Sequence, residues 1–150
     1  MKPKARPPRP ACPEEVAFLD LARTTDMLSR PLAQLLKTHD LSPPQYNILR
    51  ILRGSPDGLN CREIGHRMIS RDPDITRLLD RLEKRGLISR TRDHADRRVV
   101  WARITAAGLH LLAGLDQPIL NTHRKLLGHL GLRRLQTLAR LLEVCRAALR

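Results

Sequence analysis

Residues 73–98 decide the fold, and they read PDITRLLDRLEKRGLI over 73–88 and SRTRDHADRR over 89–98. The first part predicts an amphipathic helix, because its apolar side chains recur at helical spacing. These apolar residues are Ile75, Leu78, Leu79 and Leu82. The opposite face is polar and consists of Thr76, Arg77, Asp80, Arg81 and Lys84. Asp72 can cap this helix, Pro73 suits its first position, and Gly86 is the expected stop.

A hairpin with a basic tip follows this helix. The alternation of apolar and polar residues predicts strands over residues 87–92 and 98–104, joined by a polar turn at 93–96. A short helix over residues 61–68, capped by Asn60, and a turn at 69–72 come before. This order is typical of a winged helix-turn-helix, in which the second helix enters the major groove of DNA. The alternative is an ordinary helix-plus-hairpin unit with a solvated basic face.

Three segments together resemble the MarR family of bacterial transcription regulators. LSPPQYNIL over residues 41–49 is similar to the opening of the family's second helix. TRLLDRLEKRGLI over 76–88 is similar to its recognition helix and first wing strand, and DRR over 96–98 to its wing signature, followed by Ile104, Thr105 and Gly108. The resemblance implies a mainly α fold: a winged helix-turn-helix with a two-stranded wing and long N- and C-terminal dimerisation helices.

The remaining segments arrange themselves around this lobe, which we assign to residues 42–105 of a domain spanning 13–150. The basic, Pro-rich residues 1–12 predict a disordered arm, either a solvated tail or a contact with phosphates. Residues 13–39 predict one long helix that Pro31 should bend or break near Leu28. Ser42 can cap a helix over Pro43–Arg53.

The C-terminal residues 106–150 predict two more helices. Thr105 can cap the first of them, Pro118 should kink it, and Gly131 separates the second. In the last helix a narrow apolar seam recurs at steps of three and four: Leu135, Leu138, Leu142 and Cys145. We expect these helices and the first one to pair between two copies of the chain. Packing of the same stripes within one chain is the alternative.

Composition limits the classes of function. The 150 residues carry a formal net charge of +13, which favours an anionic partner, although an Arg-rich bias can also reflect genome base composition. No apolar run is long enough to span a membrane, and the basic N-terminus lacks the apolar core of a secretory signal. The three cysteines form no paired motif, so a reducing cytoplasm is the expected compartment.

Catalysis and cofactors find little support in the sequence. The six histidines are scattered, and no HExxH, GxSxG or P-loop motif is present. A metal site that includes His110 and His123 is conceivable, but solvated or packed histidines are the better interpretation. We therefore expect that this protein is not an enzyme and that it binds no cofactor and no metal.

The resemblance to the MarR family implies roles in DNA binding for a set of polar residues. Thr76 and Arg77 match positions that reach base edges, and arginine can bridge guanine O6 and N7. Asp96 matches a residue that pairs with an arginine to hold the hairpin, and Arg98 matches the one inserted into the minor groove. The expected contacts to the phosphate backbone are Ser70, Arg71, Arg81, Lys84, Arg90, Arg92 and Arg97. For Arg81 and Lys84 the alternative is a solvated face with helix ion pairs such as Asp80–Lys84. Trp101 receives no role.

The resemblance also implies a small-molecule effector. Relatives commonly bind small aromatic acids between the dimer helices and the DNA-binding lobe, and we expect such a site near Tyr46. Cys12 precedes the first helix, whereas peroxide-sensing relatives carry a cysteine early within it, so peroxide sensing is not expected. The leading hypothesis is a ligand-responsive repressor that binds double-stranded DNA as a homodimer. The alternative is a basic architectural or RNA-associated winged-helix protein.

Overall fold

The computed structural model describes residues 12–70, 74–93 and 96–149. The helices and strands follow one another as α1 (Pro13–Lys37), α2 (Pro43–Arg53), β1 (Leu59–Asn60), α3 (Cys61–Arg67), α4 (Ile75–Lys84), β2 (Ile88–Arg92), β3 (Val100–Ile104), α5 (Ala106–Leu127) and α6 (Gly131–Ala147), with a 3₁₀ turn at Gly128–Leu130 before α6. This order confirms the predicted mainly helical, winged helix-turn-helix fold. None of the described helices is long and apolar enough to cross a membrane.

The starts of α2 and α3 are fixed by reciprocal capping. Ser42 and Gln45 form a capping box at α2, and Asn60 and Glu63 form another at α3. In each box a polar side chain accepts a hydrogen bond from a free backbone N–H of the first turn, which stabilises a helix start by about 1 kcal/mol. Both caps were predicted from the sequence, and they set where these two helices of the lobe begin.

The lobe closes around one aliphatic core. Side chains from α1, α2, α3, α4, the sheet and α5 contribute to it, and the most deeply buried of them are Leu36, Ile48, Leu49, Leu52, Ile64, Leu79, Leu82, Leu112 and Leu115. Burial of one leucine or isoleucine contributes about 1.5–3 kcal/mol. The apolar face of α4 is therefore turned inward, which leaves its polar face to the surface.

The sheet has three antiparallel strands in the order β1-β3-β2. The sequence predicted β2 and β3 but missed β1, which pairs Leu59 with Ala102. A strand of two residues has no periodicity that could reveal it; only its partner defines it. Thr105 ties the sheet to α5, because its hydroxyl donates to the Gly86 carbonyl over 2.6 Å and accepts from Gly108 N–H.

Gly86 and Gly108 meet backbone requirements of this junction. Gly86 follows α4 with φ +69, a left-handed conformation that suits glycine, and the chain then turns into β2 as predicted. A Cβ on Gly108 would collide with the Leu87 carbonyl. The small residue in the first turn of α5 therefore lets the helix lie directly against the start of the wing.

Both prolines inside the long helices are tolerated. α1 continues without a break through Pro31, where a bend or a break was expected, and α5 continues through Pro118, where a kink was expected. Each proline removes one backbone hydrogen bond, while the turns on either side keep theirs. α1 ends at Lys37, two residues before the predicted end, in a turn where Asp40 has φ 54.

α6 and the first half of α1 contribute little to the core of the single chain. No residue of α6 is buried, and the predicted seam residues Leu135, Leu138 and Leu142 are half-buried. Other apolar side chains of these helices are largely exposed: Phe18, Met27, Leu132, Leu141 and Val144. Part of the predicted arm (residues 1–11), the predicted cap at Asp72 and Pro73 lie outside the described residues.

Candidate nucleic-acid interface

The turn between α3 and α4 is held by side chains from other elements. Asn47 on α2 accepts a hydrogen bond from the backbone N–H of Ile69 over 2.8 Å. Arg67, at the end of α3, donates to the Ser55 hydroxyl over 2.8 Å. These bonds fix the path of the chain into α4. Ser70 is exposed in this turn, and Arg71, a predicted backbone contact, lies outside the described residues.

The polar face of α4 is open to solvent. Thr76, Arg77, Arg81 and Lys84 all lie on it and are exposed. Arg77 is 75% exposed and lies 3.3 Å from the Asp74 carboxylate, at the start of the helix. A surface pair of this kind contributes about 0–1 kcal/mol, so the guanidinium can leave it at little cost.

Arg90, which was predicted to contact the phosphate backbone, is bound by two carboxylates of α4. Its Nη2 lies 2.6 Å from an Asp80 oxygen and 2.6 Å from a Glu83 oxygen, and its side chain is 23% exposed. The hydrogen bond to Glu83 is the largest cause that raises the pKa of Arg90. Two carboxylates of α4 therefore already neutralise this guanidinium, which joins β2 to α4 and lines the edge of the groove described below. Asp80 forms its ion pair with Arg90. The alternative helix ion pair, Asp80–Lys84, is not formed.

The described part of the wing is organised by two aspartates. Asp96 accepts a hydrogen bond from the backbone N–H of Arg98 over 3.0 Å, where an arginine side chain had been expected. Asp93 accepts one from the backbone N–H of Asp96 over 3.1 Å and one from Trp101 Nε1 over 2.9 Å. Arg92, Arg97 and Arg98 are exposed around this network. Trp101, which received no role from the sequence, is therefore part of the wing.

A groove of about 500 Å³ runs between α3, α4 and the wing. Thr76 of the predicted recognition helix and Arg98 of the wing both line it, with Arg62, Cys61 and Val100 among the other lining residues. Two residues predicted separately as DNA contacts are thus brought to one surface. Arg62 was missed by sequence reasoning, because an exposed arginine on a short helix has no distinctive pattern until its neighbours are known.

Tyr46 lies on the opposite side of α2 from solvent. It is 7% exposed and belongs to the core, and Arg50 lies 5.8 Å from the centre of its ring. Burial raises the pKa of Tyr46, and the nearby charges of Arg50, Asp116 and Arg53 act in both directions. Arg53 is bound to Asp116 on α5 at 2.8 Å, whereas Arg50 remains exposed beside the ring.

Among residues 12–70, 74–93 and 96–149, no cluster of histidine, cysteine or acidic side chains could hold a metal ion. Cys12 and Cys145 are exposed and Cys61 is half-buried, all three as free thiols.

Comparison with known proteins supports the interpretation of the fold as a winged helix-turn-helix. Residues 41–100 match the sequence model of the MarR family. A MarR transcription factor of known structure from Planctomyces limnophilus is 40% identical to this chain, with a TM-score of 0.70 over 91% of this chain and 99% of that one.

Two further relatives are regulators by name. The HTH-type transcriptional regulator TtmR of Methylorubrum extorquens (strain PA1) is 38% identical over 87 residues, which are 58% of this chain and 44% of TtmR. The homoprotocatechuate degradative operon repressor of Escherichia coli is 27% identical over 128 residues, which are 85% of this chain and 84% of the repressor. The chain therefore spans less than half of the first relative and most of the second.

Proposed function

Because the chain belongs to the MarR family of transcription regulators, and not to a family of enzymes, we propose that it is a repressor that binds a specific operator as a homodimer and is released by a small aromatic acid. The observation that carries the proposal is the groove that Thr76 and Arg98 line together. A helix that reads base edges and a wing that reaches the adjacent groove must act from one surface.

In this proposal α4 enters the major groove. Thr76 and Arg77 lie in its first turn, where a recognition helix contacts base edges, and Arg77 can bridge O6 and N7 of a guanine. The side chains of Arg81 and Lys84, one and two turns later on the polar face, meet the phosphate backbone. Ser70 and Arg71, just before the helix, complete this part of the contact.

The wing occupies the neighbouring minor groove. Arg98 reads groove width, since a narrow A·T-rich minor groove attracts a guanidinium. Arg97 and Arg92 bind phosphates beside it. Arg62 lines the same groove of the protein as Arg98 and is exposed, which supports an additional phosphate contact from α3. Arg90 is left out of this set because Asp80 and Glu83 hold it.

Dimerisation is supported by the apolar surface that a single chain leaves open. Leu132, Leu141 and Val144 on α6 are 73%, 59% and 61% exposed, and Phe18 on α1 is 69% exposed. So many apolar side chains exposed to water on the terminal helices are unfavourable in a monomer, whereas a second copy can bury them. Two lobes related by a twofold axis would then bind a pseudo-palindromic operator.

The effector site is proposed beside Tyr46 and Arg50. The exposed guanidinium of Arg50, which lies 5.8 Å from the centre of the Tyr46 ring, can attract a carboxylate. The name of the relative from Escherichia coli refers to degradation of homoprotocatechuate, a small aromatic acid. Such a ligand weakens operator binding only if it prefers the conformation that does not bind DNA.

The test is genomic footprinting with the purified protein, followed by affinity measurements on the recovered sites. We expect operator binding at least about 10³-fold tighter than binding to random duplex at the same salt concentration. Equal affinity for recovered and random sequences would favour the architectural alternative, and preference for RNA the RNA-associated one.

A further inference from the structure

Trp101 connects the middle of the sheet to the described end of the wing. It is the single tryptophan of the chain and lies on β3 directly opposite Thr91 of β2. Its neighbour Ala102 is buried on the core side, so Trp101 lies on the outer face of the sheet, where it is half-buried. From there its indole N–H donates to Asp93 Oδ2 over 2.9 Å.

Asp93 passes this restraint on to the segment that carries Arg98. Its other carboxylate oxygen accepts the backbone N–H of Asp96 over 3.1 Å, and the Asp96 carboxylate accepts the backbone N–H of Arg98 over 3.0 Å. Two backbone bonds close the same segment, from Asp93 N–H to the Val99 carbonyl and from Val99 N–H to the Asp96 carbonyl, both 2.9 Å long. The indole thus fixes one oxygen of the carboxylate, while the other holds the chain that leads to Arg98.

The restraint matters because apolar packing cannot fix this segment. Asp96, Arg97 and Arg98 are exposed, so hydrogen bonds must hold them in one conformation. Hydrogen bonds to a carboxylate are stronger than bonds between neutral groups. Within the described part of the wing this network reaches β3 through the Trp101 side chain, which donates to Asp93.

We propose that Trp101 is a positioning residue for Arg98: its indole N–H orients the Asp93 carboxylate, which through Asp96 aims the Arg98 side chain. The proposal rests on the proposed function for the part that concerns DNA, since Arg98 is there the residue that reads the minor groove. It also makes a statement about the free protein, namely that the Arg98 backbone is ordered because Trp101 bonds to Asp93. The two statements can be tested separately.

The first experiment uses the free protein and the variant Trp101→Phe, which keeps an aromatic ring but loses the N–H. Backbone ¹⁵N relaxation should give an Arg98 order parameter near ~0.85 in the wild type and below ~0.6 in the variant. The amide of Ser89, on the same sheet but away from the wing end, is the internal control and should not change. An unchanged Arg98 order parameter, or equal loosening at Ser89, would overturn the proposal.

The second experiment is a double-mutant cycle on the operator. Trp101→Phe alone should weaken binding about tenfold, and less than about twofold when Arg98→Ala is already present, because there is then no side chain to aim. In the Arg77→Ala background the full tenfold loss should return. Equal losses in all three backgrounds would refute positioning of Arg98. If the wild type bound no operator specifically while relaxation confirmed the restraint, the proposed function would fail and the positioning in the free protein would stand.

Discussion

Arg77 and Arg98 carry the same charge, but their surroundings differ, and this difference predicts different roles. Arg77 projects from the first turn of a helix and forms a surface pair with Asp74 at 3.3 Å. Arg98 is also exposed, but its backbone is fixed by Asp96 at the end of a hairpin. A side chain on a helix can be inserted into a wide groove, whereas one on a hairpin suits a narrow groove.

Arg77→Ala should weaken operator binding by about 1–3 kcal/mol and flatten the preference at one or two base pairs of each half-site. Its effect on random DNA should be small.

Arg98→Ala should instead weaken binding where the wing meets A·T-rich sequence. It should also lower the salt slope of binding by about one unit for each phosphate that the arginine neutralises. Asp96→Ala should mimic Arg98→Ala. Affinities for operator variants at several salt concentrations test this, and equal losses on operator and random DNA would make both residues generic phosphate contacts.

Tyr46 gives a prediction about pH. Burial raises its pKa above the ordinary value of about 10, so the unfolded chain releases the phenolic proton before the folded chain does. The stability tied to the neutral phenol is therefore complete below pH ~10 and is lost as the pH rises further. Tyr46 is the single tyrosine, so phenolate absorbance reports its titration directly.

The wild type should lose more free energy of unfolding than Tyr46→Phe between about pH 9 and pH 11, a range that brackets the ordinary tyrosine pKa of about 10. Denaturant titrations of the two proteins measure this difference, and the variant corrects for other groups that titrate in the same range. A phenolate midpoint at or below ~10 in the folded protein would contradict the expectation.

At the scale of elements, the contact between α4 and β2 depends on a charged group. Arg90 lies on the same side of β2 as the buried Ile88, and its guanidinium bonds to Asp80 and Glu83 on α4. From the sequence, Arg90 and Arg92 on the same basic strand were both predicted to contact phosphates. Packing of the helix against the strand separates them, because the carboxylates of α4 cover Arg90 and leave Arg92 exposed.

Arg90→Ala should lower the free energy of unfolding by about 1–3 kcal/mol, because two carboxylates lose a partially buried partner. It should leave the salt slope of DNA binding unchanged. Arg92→Ala is the matched control, since Arg92 is exposed two residues later: it should lower the salt slope and hardly affect stability. Chemical denaturation and salt titrations measure both quantities. The reverse result would restore Arg90 as a phosphate contact.

At the scale of the whole molecule, the proposed dimer rests on the exposed apolar side chains of the terminal helices. We expect a stable homodimer at micromolar concentration, bound to half-sites whose centres lie ~34–36 Å apart. The double variant Leu141→Glu/Val144→Glu should weaken the dimer, because it places charges in the apolar surface of α6. Gln136→Glu adds a charge at an exposed polar position of the same helix and should leave the dimer intact. Sedimentation measures the oligomeric state of each protein, and a monomeric wild type would contradict the proposed operator geometry.

The effector response also belongs to the whole molecule, because the proposed site and the DNA-binding surface lie on different elements. A small phenolic acid at a concentration of about 100 times its Kd should stabilise the protein by about 2.7 kcal/mol and weaken operator binding. Arg50→Gln should abolish both effects, whereas the amide of the same acid should be inactive on the wild type. Thermal shift and gel shift assays provide the readout. A broad screen without any effect would leave a repressor that does not respond to aromatic acids.

The sequence by itself determined the order of the helices and of β2 and β3, and the amphipathic face of α4. It also determined the caps at Ser42, Asn60 and Thr105, because helical periodicity and capping are local properties that a few neighbouring residues specify. The tertiary structure decided what depends on distant partners. It paired β1 with β3, assigned Arg90 to two carboxylates, brought Arg62 to the groove and joined Trp101 to Asp93. The physical reason is that a charge or an N–H has no fixed role along the chain. Its role is set by which groups lie within about 3 Å once the core has closed.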